Sequence, residues 1–145
     1  MELWLYESVP TTVADRISRL LHDHPLIDGH NDLETLLVRM VVAATRELRT
    51  DEQLAMMLAS EPGDALGQLT VEGIPRILRV ATVFLVPMVD QYLPRDEAVQ
   101  VVELLSRLVI SYFLAPSDVV DFGNPESARQ FIHTFLPAYQ ALTRS

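Results

Sequence analysis

Apolar positions recur at helical spacing along nearly the whole chain. From Thr11 to His24 the residues Val13, Ile17, Leu20 and Leu21 keep a helical step, with Thr11 or Thr12 as the cap and Pro25 as the stop. Residues 25–31 read as a turn, after which Asn31 or Asp32 caps a second helix running to about Arg49. Leu33, Leu36, Leu37, Met40, Val41 and Ala44 fall on one face of that helix. Thr50 with Gln53 forms a capping-box pattern, predicting a short third helix that ends near Ser60, ahead of Pro62-Gly63. Between Thr70 and Tyr92 lies a fourth helix, opened by Pro75 in its first turn. From Ile77 to Val89 it is apolar on nearly all sides, the pattern of a helix buried on more than one face. Pro87 inside it predicts a kink or an early end.

Pro94 opens a fifth helix that continues to Leu114. Its polar positions, Asp96, Gln100, Glu103, Arg107 and Ser111, make one narrow stripe, and apolar side chains wrap the rest. Ala115-Pro116-Ser117 ends it, residues 119–123 read as a loop, and Asn124-Pro125 caps a sixth helix to about Leu142. That helix turns Ala128, Phe131, Ile132, Phe135, Leu136 and Tyr139 inward, with Pro137 bending its end. No segment alternates with period two, and there are no internal repeats. The expectation is an all-α bundle of about six helices in a single domain, 1–145.

Composition narrows the function classes. The net charge is −9, and the 11 basic residues are all arginine. Neutralising the phosphates of a DNA duplex takes a surplus of positive charge, so this chain is not expected to bind nucleic acid directly. With no cysteine, neither a disulfide framework nor a thiolate metal site is possible. The N-terminal residues lack the basic start and apolar run of a secretory signal. The longest apolar run, Val80 to Met88, is far short of the roughly 20 residues of a membrane span. The chain reads as cytoplasmic, with no membrane partner.

The last two helices carry more apolar surface than one face of a monomeric helix requires. Pairing them with a second copy across a two-fold axis makes a four-helix bundle, with Val102, Leu105, Val109, Tyr112, Phe131 and Phe135 at the interface. The plain alternative is a large internal core with no partner. The run from Glu103 through Ser117, followed by Val119-Val120-Asp121 and Asn124-Pro125-Glu126, resembles the last two helices and joining loop of tetracycline-repressor (TetR) family regulators. The resemblance extends, more loosely, over residues 11–142. It implies ligand-binding helices in 1–93, dimerisation helices in 94–145 and a homodimer. That family's DNA-reading helix-turn-helix unit has no counterpart in this sequence, so a DNA-reading role is not carried over.

Met40, Met57 and Met88, with Phe84, sit on the second, third and fourth helices. Methionine fills irregular gaps and is overused at adaptable apolar surfaces. Packed as in the TetR family, these four residues line a pocket for a small apolar ligand; the alternative is ordinary core. A competing signal is Ile27-Asp28-Gly29-His30-Asn31-Asp32-Leu33, which resembles the zinc-ligand motif of membrane dipeptidases. That family's barrel needs about 250 residues and eight strands, and the later metal ligands are missing here. A helix–helix turn, with Asn31 or Asp32 as cap, is the reading preferred. His22, His24 and His30 with Asp23, Asp28 and Asp32 form a polar cluster read as a solvated turn. No nucleophile constellation or phosphate loop is present, so neither a catalytic site nor a resident metal or cofactor is expected.

Overall fold

The computed structural model describes residues 15–17, 19, 32–60, 63, 67 and 74–143, and among these every regular element is an α-helix. Residues 15–17 and 19 belong to a helical turn. Five longer helices follow: α1 (Asp32–Thr50), α2 (Glu52–Ser60), α3 (Ile74–Val89), α4 (Arg95–Leu114) and α5 (Pro125–Thr143). All-α is therefore the fold class. The expected first helix beyond 15–17 and 19, with the turn at 25–31, lies outside the described residues.

Helix ends follow local chemistry. The α1–α2 boundary differs from the capping-box expectation. Thr50 is still helical, and its hydroxyl donates back to the Arg46 carbonyl at 2.9 Å, closing α1. Asp51 is the single non-helical residue between the two helices, and its Oδ1 accepts the Leu54 N–H at 2.8 Å. The cap of α2 is thus Asp51, because a capping residue must leave helical φ/ψ and Thr50 does not. At α5, Asn124 Oδ1 accepts the Glu126 and Ser127 N–H groups at 2.9 and 3.3 Å, as the sequence pattern implied. Acidic residues occupy the first turns of α2, α4 and α5, where they oppose the positive helix end.

In the packing, α1 lies against both α4 and α5, and α4 lies against both α1 and α3, with α2 resting on α1. One core cluster runs from Ile17 to Leu136 and joins α1, α3, α4 and α5. A smaller one, centred on Leu54 and Ile110, fastens α2 to its neighbours. Pro75, Arg79, Val83 and Pro87 form the exposed stripe of α3, four residues apart, so that helix is covered on all sides but one. The helix passes through Pro87 and ends at Val89.

Helix α4 was expected to carry surplus apolar surface. The chain itself buries Ala98, Val101, Val102, Leu105, Val109 and Ile110, since α1, α3 and the Leu54 cluster approach from different sides. No second copy is needed to cover these six residues. The outward stripe is Asp96, Gln100, Arg107 and Ser111, joined by Leu104. No described helix is long and apolar enough to cross a membrane.

Candidate functional site

Where α1, α3 and α4 meet, their side chains do not fill the space. A cavity of about 90 Å³ remains, bounded by Met40, Val41, Ala44 and Leu48 from α1, with Ile77, Ala81 and Leu85 from α3. Val102, Leu105, Ser106, Val109 and Ile110 of α4 and Ile17 complete the described lining. Ala44 of α1 and Ala81 of α3 are the shortest side chains on the described wall. Ser106 is the single polar residue among the described lining. The hydroxyls of Thr50, Ser60 and Thr82 each close onto a carbonyl four residues back. Among the described residues Ser106 makes no such bond.

The residues expected to bind ligand are spread differently. Met40 lines the cavity. Met88 is buried in the main core cluster and Phe84 packs against it, but neither is on the described cavity wall. The Met57 side chain lies outside the described residues. Of the residues expected at a dimer interface, Val102, Leu105 and Val109 are 1%, 3% and 4% exposed in the single chain and face the cavity. A partner copy would gain no apolar area from them. Tyr112, Phe131 and Phe135 remain half-buried.

Those three rings belong to an aromatic row. Tyr112 meets Phe122 edge-on at 5.2 Å, Phe122 meets Phe131 at 5.2 Å, Phe131 stacks on Phe135 at 5.9 Å, and Phe135 leans on Tyr139 at 5.6 Å. Tyr139 donates its hydroxyl to Gln100 Oε1 at 2.8 Å, linking α5 to α4. Partial burial, then the nearby carboxylates of Glu97 and Asp96, hold the Tyr139 hydroxyl above its usual pKa. Phe122, in the α4–α5 loop, is 1% exposed and is the largest fully buried side chain among the described residues.

The loop that carries Phe122 is held on α1 by two arginines. Arg49 Nη2 pairs with Asp121 Oδ1 at 2.7 Å, and Arg46 Nε donates to the Gly123 carbonyl at 3.2 Å. The Arg49 hydrogen bond, followed by the Gly123 N–H, keeps the Asp121 carboxyl below the ordinary carboxylate pKa. A Cβ at Gly123 would meet the Arg49 guanidinium, which would have to move aside and loosen its pairing with Asp121. Farther along α1, buried Glu34 meets His133 Nδ1 of α5 at 2.8 Å.

No group of three or more potential metal ligands converges among the described residues. His22, Asp23, His24, Asp28 and His30 lie outside them, so the dipeptidase-like segment has no geometry to weigh. Ser106 carries no motif in the sequence, and Ile77 and Leu85 read there only as part of a helix buried on more than one face. A short residue on the inward face of each of two helices, Ala44 and Ala81, is the signal that marks such a gap. Comparison of the chain with family models, curated proteins and solved structures finds no match.

Proposed function

We propose that the chain is the ligand-sensing and dimerisation domain of a TetR-type regulator, taking a small hydrophobic effector between α1, α3 and α4. The observation that carries this reading is the cavity, almost wholly apolar and placed where three helices meet. The likeness of residues 103–126 to the family's terminal helices supports it independently. Effector binding shifts the population of two helix arrangements, since a ligand favours whichever state it contacts better. The output is read through dimerisation at the outward side of α4 and α5, where Tyr112, Phe131 and Phe135 are half-covered. In this reading the chain works by binding rather than catalysis, within the cytoplasm, and with a charge of −9 it leaves DNA to a partner.

The test is a thermal-shift and calorimetric screen of apolar ligands, run with light scattering on the eluting protein and a gel shift on duplex DNA. Saturable stabilisation and a dimeric mass support the reading. A monomer at tens of micromolar removes the dimer, and tight, salt-sensitive DNA binding removes the division of labour.

A second reading, a helical interaction protein without a ligand, is favoured by the cavity's size. At about 90 Å³ it is smaller than the 300–1,000 Å³ usual for drug-sized ligands. No stabilisation by any apolar ligand, with dimerisation intact, would select it.

A further inference from the structure

We infer that the cavity selects a compact aliphatic molecule of about four non-hydrogen atoms that carries one neutral hydrogen-bonding oxygen, positioned by the Ser106 hydroxyl. This inference rests on the ligand-binding reading and narrows it to a ligand class, that of short alcohols and ketones. Size is set by volume. A dry cavity of about 150 Å³ accepts benzene, with its six carbons. By proportion, the 90 Å³ inside this half-open pocket holds about four such atoms.

Polarity is set by the wall. Met40, Val41, Ala44, Ala81 and Leu85 offer no partner for a charge, and an ion taken from water into such surroundings gives up hydration that these side chains do not replace. A neutral ligand with one polar atom loses far less, provided that atom finds a partner. Ser106 supplies it. A hydroxyl both donates and accepts, so it serves an alcohol or a carbonyl equally. Its freedom from the backward bond that engages the hydroxyls of Thr50, Ser60 and Thr82 leaves it available.

The experiment uses three probes of equal size: 1-propanol, acetone and n-butane. Each is titrated into the full chain while the methyl resonances of Ala44, Ala81 and Leu85 are followed by NMR. All three are expected to shift these methyls saturably, and Ala44→Leu, which fills the space, is expected to abolish the shifts. Ala81→Val is the gentler filling variant if Ala44→Leu does not fold.

Ser106→Ala decides the polar assignment. It is expected to weaken 1-propanol and acetone by about fivefold, the usual value of one neutral hydrogen bond, and to leave n-butane unchanged. Equal weakening of all three probes, or of none, overturns the role of Ser106. Binding of larger apolar ligands with no response to these three overturns the size class but leaves the ligand-binding reading standing. If neither small nor large ligands perturb the methyls, both fall.

Discussion

Asp51 stands alone between two helices, and its carboxylate holds an N–H of the second one. Replacing a capping side chain with alanine removes a partner from an otherwise orphaned donor, at about 1 kcal/mol. Asp51→Ala is therefore expected to cost about that much in urea unfolding, and Thr50→Ala clearly less, because its hydroxyl only rejoins a carbonyl already in the helix. The reverse order would return the cap to Thr50. Asp121 makes a different claim, about pH. Its carboxyl is held below the ordinary value by Arg49, so ionisation favours the folded chain. That contribution is complete above the unfolded carboxylate value, about 3.9, and is lost as pH falls through the lower folded one. The difference in melting temperature between the wild type and Asp121→Asn should be constant from about pH 7 to 5 and close below about pH 4. The pair is exposed at both ends, so the difference should be small and should shrink with added salt.

The helices themselves were legible because burial on one side of a helix repeats every three to four residues, a period a single sequence displays. The spans of α1, α4 and α5 agree with that pattern to within a residue or two. Prolines were harder to weigh. Pro87 and Pro137 lie inside α3 and α5, which run on past both. Each proline frees the carbonyl four residues back, and these belong to Val83 and His133, both exposed, so water can satisfy them. What no periodicity could reveal was Phe122. A loop has no repeat, and the burial of that ring depends on Tyr112 and Phe131, ten and nine residues away on different helices. Phe122→Ala is expected to cost about 3–5 kcal/mol, the range for emptying a packed aromatic site, and Phe122→Leu substantially less. A loss under 1 kcal/mol would mean that the ring is ornamental and that the arginine pairs alone hold the loop on α1.

The cavity and the proposed dimer compete for the same helix, and α4 shows how the competition is resolved. The sequence displays only that α4 is apolar over most of its circumference; it cannot say which neighbour covers which strip. Neighbours from its own chain take the strips holding Val102, Leu105 and Val109, and a gap remains beside them at Ala44 and Ala81. Any self-association is left to the outward side, where Leu104 is 38% exposed and Phe131 and Phe135 are half-covered. The two sets of residues should therefore answer differently to substitution. Leu105→Ala removes packing inside one chain and should lower the unfolding midpoint by the same amount at 1 and at about 100 µM protein, with a cost of about 2–5 kcal/mol. Phe135→Arg and Leu104→Arg place a charge where a second copy would press. Both should shift the light-scattering mass from two copies to one, Leu104→Arg with the helical spectrum unchanged and Phe135→Arg with some loss of stability from its ring contacts, since an unpaired charge buried at an interface costs several kcal/mol. If Leu105→Ala instead dissociates a dimer without destabilising the fold, α4 faces a partner rather than the cavity. The ligand site and the assembly would then have to be redrawn together.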